Sequence, residues 1–165
     1  MVQFQPLVQE WFRDRFGEPT EPQRLGWPAI QTGGNVLIAA PTGSGKTLAA
    51  FLCAIDRLIG QSSRGDLSQS TQIVYVSPLK ALANDIRMNL LEPLEQIQQL
   101  GDSRGMELSP VQALVRTGDT LARERARMTR TPPHILVTTP ESLFILLTAL
   151  IRVRLLKETR PVIVD

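Results

Sequence analysis

The segment 39-AAPTGSGKTLAAF-51 decides the fold of this chain. It follows the apolar run Asn35–Ala39, which has the length and composition of a strand buried on both faces in a parallel sheet. A helix is predicted from about Gly45 to Ile59. The segment therefore predicts a strand, a tight loop of small residues, and a helix that starts within the loop.

The loop between this strand and this helix has the composition of a phosphate-binding loop. Glycines let backbone N–H groups approach phosphate oxygens, and the start of the helix adds its unsatisfied N–H groups and its positive dipole end. Lys46 would reach the β- and γ-phosphates, and the Thr47 hydroxyl would bind Mg²⁺. The predicted nucleotide-binding residues are Thr42, Gly43, Ser44, Gly45, Lys46 and Thr47. Ala40 stands where the general pattern has glycine, so a plain glycine-rich turn is the alternative.

Strands and helices alternate along the chain, which predicts an α/β fold with a parallel sheet and helices on both faces. The predicted strands are 35–39, 72–77, 111–115, 135–138 and 162–165, and the predicted helices are 6–16, 22–33, 45–59, 78–99, 121–128 and 140–155. Pro93 should break or kink its helix near Leu91, because proline lacks an N–H and its ring crowds the preceding turn.

Composition narrows the class of protein. The 165 residues suit one domain; 42% are apolar, 21% are charged, and the net charge is +2. Cys53 is the only cysteine, so we expect no disulfide or zinc site and a reduced, cytoplasmic setting. The first residues lack a signal-peptide pattern, and the apolar run 143–151 is too short to span a bilayer. No membrane partner is expected.

Two further strand ends carry the pattern of a helix start. Ser77-Pro78 and Thr139-Pro140 each place a hydroxyl residue at a helix N-cap and proline at the first helical position. Carboxyl ends of parallel strands share one edge of a sheet, where ligands bind. Three anion-attracting helix starts exceed what one nucleotide needs, so we predict that a second, extended polyanion binds there. Ordinary capping is the alternative for either one alone.

Together these segments resemble a known family. The set A-x-x-G-x-G-K-T, SPLKALAND (77–85), RTGD (116–119), TTPESL (138–143) and VIVD (162–165) is similar to the first half of a superfamily 2 helicase motor. Gln23 resembles the glutamine of the adenine-reading Q motif of that superfamily. The residues that make up the other motifs are most similar to those of the large helicase-related (Lhr) family. The resemblance implies N-terminal helices over 1–34 and a truncated RecA-like ATP-binding domain over 35–165.

The resemblance also implies ligands and residue roles. ATP and Mg²⁺ would be the cofactors, with Gln23 hydrogen-bonded to adenine, Lys46 catalytic, and Asp165 catalytic and ordering Mg²⁺ through water. Single-stranded or forked DNA would be the partner, with RNA possible, and DNA repair the role. The residues implied to contact the sugar-phosphate backbone are Ser77, Pro78, Lys80, Arg116, Gly118, Thr139 and Pro140.

The chain ends at Asp165, before the glutamate, the third motif and the second motor domain that the resemblance implies. We therefore expect no hydrolysis or unwinding by these residues alone, no pairing between 36–39 and 162–165, and poor solubility. A truncated or regulatory nucleotide-binding module without motor activity is the alternative function. A small-molecule kinase with such a loop explains less, because it leaves SPLKALAND and TTPESL without a role.

Other chemically conspicuous residues are expected to be structural. His134 is interpreted as a loop residue, and Trp11, Phe12 and Trp27 as anchors of the N-terminal helices. A solvated helix face is predicted from Arg123, Glu124, Arg125, Arg127 and Arg130.

Overall fold

The computed structural model describes residues 4–78, 85–148 and 153–165. The described residues fall into two compact units. We call residues 4–66 and 85–110 the helical unit, and residues 67–78, 111–148 and 153–165 the sheet unit. The predicted division at residue 34 does not coincide with these units and stays a prediction.

The helical unit contains four α-helices and one π-helical turn in its described residues. They are α1 (Pro6–Phe16), α2 (Glu21–Gln31), α3 (Lys46–Arg64), the π-helical turn Arg87–Leu91, and α4 (Glu92–Ser103). Proline lies within the first turn of α1 and α2, where its missing N–H costs nothing. Its fixed φ also suits the start of a helix.

Aromatic side chains join the first two helices, as predicted. The ring of Trp27 meets those of Phe4 and Phe12 edge to face, with centroids 4.9 Å and 5.2 Å away. The indole N–H of Trp11 donates to Gln96 Oε1 at 2.9 Å. These rings are buried anchors rather than exposed stacking surfaces, which confirms the structural interpretation of Trp11, Phe12 and Trp27.

The predicted disturbance before Pro93 is present as a change of helix type. Residues Arg87–Leu91 form a π-helical turn that runs directly into α4. A widened turn makes room for the proline ring against the carbonyl four residues earlier, so the chain stays helical instead of breaking. Residues 79–84 of the predicted helix 78–99 lie outside the described ranges.

The sheet unit is built on four parallel strands. They are β1 (Ile73–Val76), β2 (Ala113–Arg116), β3 (Ile135–Thr138) and β4 (Val162–Val164), in the spatial order β2-β3-β1-β4. Helix α5 (Ala122–Arg130) precedes β3, helix α6 (Pro140–Thr148) follows it, and a 3₁₀ turn, Val153–Leu156, precedes β4. Parallel strands joined through helices confirm the predicted α/β class.

The predicted strand Asn35–Ala39 is wrong. Residues 35–41 form an irregular segment in which Val36 is 39% and Leu37 93% exposed. An apolar run becomes a strand only when another strand satisfies its backbone groups, and composition alone cannot supply that partner. As an irregular segment, 36–39 takes part in no strand pairing among the described residues. The expected lack of pairing with 162–165 stays a prediction.

Several other elements have different ends from those predicted. Helix α3 continues to Arg64, into the expected loop 60–70, and stops at Gly65, whose φ of 73° ends the helix in the left-handed conformation. The expected helix 140–155 appears as α6 and a separate 3₁₀ turn, and residues 149–152 between them lie outside the described ranges.

Strand β4 lies at an edge of the sheet and pairs with β1. Its Val162 and Val164 side chains are 56% and 75% exposed. An exposed apolar edge favours association with other chains, so the expected poor solubility stays a prediction with this edge as its physical basis. Within the described ranges, no helix has both the length and the apolar composition needed to cross a bilayer.

His134 lies in the bend before β3, outside any strand, as predicted, but it is buried. It is 2% exposed, and its Nδ1 accepts a hydrogen bond from the backbone N–H of Gln112 at 2.9 Å. Burial lowers the pKa of His134, which keeps the imidazole neutral and able to accept this bond. The residue joins the chain before β2 to the chain before β3, so its role is structural.

Asp56 of α3 carries a buried carboxylate that caps α1. Its Oδ1 accepts the backbone N–H of Gln5 at 2.5 Å, and burial raises the Asp56 pKa to about 6, above the usual 3.8. Because the folded-state pKa is raised, the contribution of Asp56 to stability is complete below about pH 4 and is lost as pH rises through about 6.

We therefore expect Asp56→Asn to stabilise the protein at neutral pH. Asparagine keeps an oxygen acceptor for Gln5 and removes the desolvated charge, so the free energy of unfolding should rise by about 1–2 kcal/mol at pH 7 and change little at pH 4. Urea unfolding from pH 4 to pH 7 measures this difference, with the exposed Asp102→Asn as the control for loss of one negative charge. If the free energies of unfolding of the parent and Asp56→Asn differed by the same amount at every pH, the assignment would be contradicted.

Candidate functional site

The loop before α3 has the backbone conformation of a phosphate-binding loop. Gly43 and Gly45 have φ values of 78° and 86°, in the left-handed region that side chains disfavour. Gly45 is the N-cap of α3, and Lys46 is the first residue of that helix. The loop therefore ends on a helix N-terminus, which carries unsatisfied N–H groups and a partial positive charge.

Lys46 folds back over its own loop. Its Nζ donates to the carbonyl oxygens of Ala40 at 2.5 Å and of Pro41 at 2.8 Å. A phosphate brings a full negative charge, which attracts the ammonium group more strongly than two carbonyl dipoles do. The ammonium group is thus kept beside the place where a phosphate would bind.

The hydroxyl groups of the loop leave hydrogen-bonding capacity for a ligand. The Ser44 Oγ is buried and has no hydrogen-bond partner among the described residues. Thr47 lies one residue into α3 and is half-buried. The donors present fit a triphosphate, and a single hydroxyl fits Mg²⁺, which keeps most of its waters when bound to nucleotide. No group of three or more His, Cys, Asp and Glu side chains that could hold a metal occurs within the described ranges.

Gln23 is bound to the phosphate loop. Its Oε1 accepts the Thr20 backbone N–H at 2.9 Å, and its Nε2 lies 3.4 Å from the Gly45 carbonyl oxygen. The Thr20 hydroxyl donates to the Ser44 carbonyl at 2.8 Å. Gln23 is only 3% exposed, and both ends of its amide are engaged, so an adenine would have to exchange these bonds. Adenine recognition by Gln23 stays a prediction.

The predicted nucleic-acid residues of the sheet unit lie at one edge. Val76 pairs with Thr138 and Thr138 with Arg116, so β1, β2 and β3 end level with one another. The Ser77 N–H donates to the Thr138 carbonyl at 3.1 Å, which places Ser77 beside Thr139 at that edge. We call this the carboxyl edge of the sheet. Lys80 lies outside the described residues.

Burial divides these residues into two groups. Pro78, Gly118 and Pro140 are exposed. By contrast, Ser77, Arg116 and Thr139 are buried, with exposed fractions of 1%, 2% and 4%. In this conformation the exposed residues and the loop backbone are accessible from solvent, while the three buried side chains are not. The Thr139 hydroxyl accepts the Ser142 N–H at 3.3 Å, which confirms the predicted N-cap of α6.

Asp165 follows β4 and reaches the same edge. Its N–H donates to the Val76 carbonyl at 3.0 Å, and its Oδ2 accepts the Tyr75 hydroxyl at 2.8 Å. Tyr75 was not among the site residues predicted from the sequence. Its hydroxyl could have been predicted to have a nearby hydrogen-bond partner, because it is the one polar group among the side chains of a buried strand.

Arg125 was assigned to a solvated helix face, and this assignment is wrong. Its Nε donates to the Thr120 carbonyl at 2.6 Å, and its Nη2 donates to the Gly118 carbonyl at 2.9 Å. Arg123 and Arg127 on the same helix are exposed, as predicted. The position of Arg125 could have predicted a specific hydrogen-bond partner, because it is a basic residue near the N-terminus of α5, where the helix dipole disfavours positive charge.

Comparison with known proteins identifies related sequences. The sequence profile described as "DEAD/DEAH box helicase" matches residues 20–165. The "ATP-dependent helicase Lhr-Core protein 2" of Thermococcus barophilus is 51% identical over 158 residues, covering 96% of this chain and 18% of that protein. The "Lhr helicase/ probable uracil glycosylase" of Mycolicibacterium smegmatis is 49% identical over 162 residues, covering 98% and 11%.

Two solved structures that are similar in fold are also helicases. The Mycobacterium smegmatis helicase Lhr, bound to ssDNA and AMP-PNP, superposes with a TM-score of 0.86 at 48% identity, over 98% of this chain and 20% of that one. The DUF1998 helicase MrfA shares the fold at 22% identity, with a TM-score of 0.78 over 100% of this chain and 21% of its own. The fold is thus the predicted RecA-like one.

This chain spans 18% and 11% of the length of the two curated relatives. Similarity to the Lhr proteins nevertheless runs along nearly all of it, as the motifs predicted. With the profile match over residues 20–165, these findings place the chain in a family: it belongs to the DEAD/DEAH box helicases.

Proposed function

We propose that this chain is the nucleotide-binding part of an ATP-dependent helicase of the Lhr type, and that it binds ATP with Mg²⁺ at the loop before α3. The observation that carries the proposal is the pair of left-handed glycines, Gly43 and Gly45, directly before a helix that begins with Lys46. Lys46 would hold the β- and γ-phosphates. Thr47 would bind Mg²⁺ directly.

The second ligand in this proposal is single-stranded DNA at the carboxyl edge of the sheet. Exposed Pro78, Gly118 and Pro140 lie at strand ends of that edge, and a helix N-terminus follows Thr139. Backbone contacts to sugar and phosphate carry little base information, so RNA binding is expected as well. The related M. smegmatis Lhr was solved with ssDNA, which supports DNA as the first ligand to test.

Hydrolysis, unwinding and the tracking of forked DNA are proposed for a longer polypeptide with a second motor domain, because the relatives are several times longer than this chain. For these 165 residues alone we propose binding without turnover. A role in DNA repair, implied by the resemblance, and a cytoplasmic location, expected from the single cysteine, complete the proposal.

The test uses the purified 165-residue chain. Titration with a fluorescent AMP-PNP derivative should show binding that Mg²⁺ strengthens, and a labelled oligo-dT should bind with an affinity that falls as salt rises. Phosphate release from ATP should stay at background. Absence of nucleotide binding at about millimolar concentration would overturn the nucleotide assignment, and steady phosphate release would overturn binding without turnover.

Two variants of Gln23 separate adenine recognition from capping. Gln23→Glu keeps the acceptor for the Thr20 N–H but loses the Nε2 donor, whereas Gln23→Ala loses both. We expect both variants to lower the preference for ATP over GTP about tenfold, and only the alanine variant to lose about 1 kcal/mol of stability. Nucleotide titrations and urea unfolding measure the two effects. Unchanged ATP preference in Gln23→Glu would assign Gln23 to capping alone.

A further inference from the structure

We propose that Arg125 is a positioning residue, which holds the loop Thr117–Thr120 in the shape that meets the nucleic-acid backbone. This inference rests on the proposed binding of single-stranded DNA at the carboxyl edge of the sheet. It assigns to Arg125 a role through the loop and not a contact with the ligand itself.

Two donors of one guanidinium hold two carbonyls of this loop. Nε of Arg125 donates to Thr120 at 2.6 Å, and Nη2 donates to Gly118 at 2.9 Å. A guanidinium is planar and rigid, so these two bonds fix the relative orientation of two peptide groups that are two residues apart. A lysine ammonium is a single point charge and cannot set the same geometry.

Bonds inside the loop complete the same shape. The Thr117 N–H donates to the Thr120 hydroxyl at 2.9 Å, and the Thr120 N–H donates to the Thr117 carbonyl at 3.3 Å. The Asp119 N–H donates to the Thr117 hydroxyl at 3.3 Å. Threonine side chains thus close the loop locally, and Arg125 ties it to α5.

The bonds to Arg125 also change the electrostatics of the loop. Carbonyl oxygens repel phosphate oxygens, and the guanidinium holds two of them and neutralises their partial charge. The exposed apex of the loop is then more favourable to a polyanion. Without Arg125 these carbonyls would turn toward solvent to find hydrogen bonds, because unpaired carbonyls are costly.

Gly118 at the apex leaves space for such a ligand. It is exposed, its φ is not in the left-handed region, and a Cβ added there would meet no atom within 4 Å. Neither backbone conformation nor packing within the described residues therefore explains a glycine at this position. Close approach of an external group does explain it.

The test compares Arg125→Gln with Arg123→Gln, an exposed arginine of the same helix that loses the same charge. Binding of labelled oligo-dT is measured from about 50 to about 200 mM KCl, with AMP-PNP affinity and thermal unfolding in parallel. We expect Arg125→Gln to weaken oligo-dT binding about tenfold with the salt slope unchanged, and Arg123→Gln to stay within about twofold. Nucleotide affinity should not change in either variant.

Arg125→Lys keeps the charge but lacks the two fixed N–H donors of the guanidinium. It provides the second variant if Arg125→Gln does not fold. It should bind oligo-dT at least about threefold more weakly than the parent chain at equal thermal stability. Parent-like binding by Arg125→Lys, or equal effects of the two glutamine variants, would overturn the inference. A salt slope reduced by about one would also overturn it, because Arg125 would then contact phosphate directly. If the parent chain does not bind oligo-dT at all, the proposed nucleic-acid site fails, and this inference fails with it.

Discussion

Replacing Lys46 with alanine is expected to weaken ATP binding about 100-fold. Lys46 carries the charge at the end of the phosphate loop, and each charge-assisted hydrogen bond to a phosphate oxygen contributes about 1.5–3 kcal/mol. Without nucleotide the ammonium donates to the carbonyls of Ala40 and Pro41, so binding exchanges these neutral acceptors for charged ones. The alanine variant loses that gain entirely.

The measurement is a titration with a fluorescent ATP analogue in the presence of Mg²⁺. Lys157→Ala is the matched control, since Lys157 is exposed and belongs to the sheet unit, and its loss removes the same charge. Far-ultraviolet circular dichroism checks that both variants keep their helices. Affinity of the Lys46 variant within about threefold of the parent would mean that this loop does not bind the phosphates.

Gly45→Ala is expected to destabilise the protein by about 2–3 kcal/mol and to weaken nucleotide binding more than tenfold. Two effects add at this position. The φ of 86° costs an alanine about 1–2 kcal/mol. An added Cβ would also lie 2.6 Å from Gln23 Nε2, so the Gln23 side chain would have to leave the loop.

Two other glycines separate these effects. Gly43 in the loop and Gly65 after α3 have φ values of 78° and 73°, and a Cβ at either meets nothing within 4 Å. Gly65→Ala should therefore lower the free energy of unfolding by about 1 kcal/mol without changing nucleotide affinity. Gly43→Ala should lower the free energy of unfolding by a similar amount, because of its positive φ, and should also weaken nucleotide binding. Urea unfolding and the same nucleotide titration measure all three. Equal effects of Gly45→Ala and Gly65→Ala would show that the contact with Gln23 contributes nothing.

Together these variants test whether the Gln23 segment and the phosphate loop act as one structure. Thr20 and Gln23 hold the carbonyls of Ser44 and Gly45, so α2 begins against the loop that precedes α3. A nucleotide that exchanges the Gln23 bonds for bonds to its base would alter the support of the loop at the same time. Base recognition and phosphate binding are then expected to change together in the Gln23 variants.

What could be predicted from the sequence alone has a local physical cause. The left-handed glycines of the phosphate loop, the N-cap at Thr139 and the altered helix before Pro93 depend on residues within about one helical turn of each other. The strand Ile135–Thr138 was predicted with its observed ends because a short β-branched and apolar run lies between Pro133 and Pro140. The helicase family followed from the order and spacing of such segments.

Only the tertiary structure decided the features that need a partner distant in the sequence. The run Asn35–Ala39 has the composition of a strand, but no strand pairs with it among the residues that the structure describes. Asp56 reaches Gln5 across 51 residues, and His134 accepts the N–H of Gln112 across 22. Local composition sets which conformations a segment can adopt. Hydrogen-bonding and burial by remote residues select among them, because a backbone or charged group removed from water must find its partner within the fold.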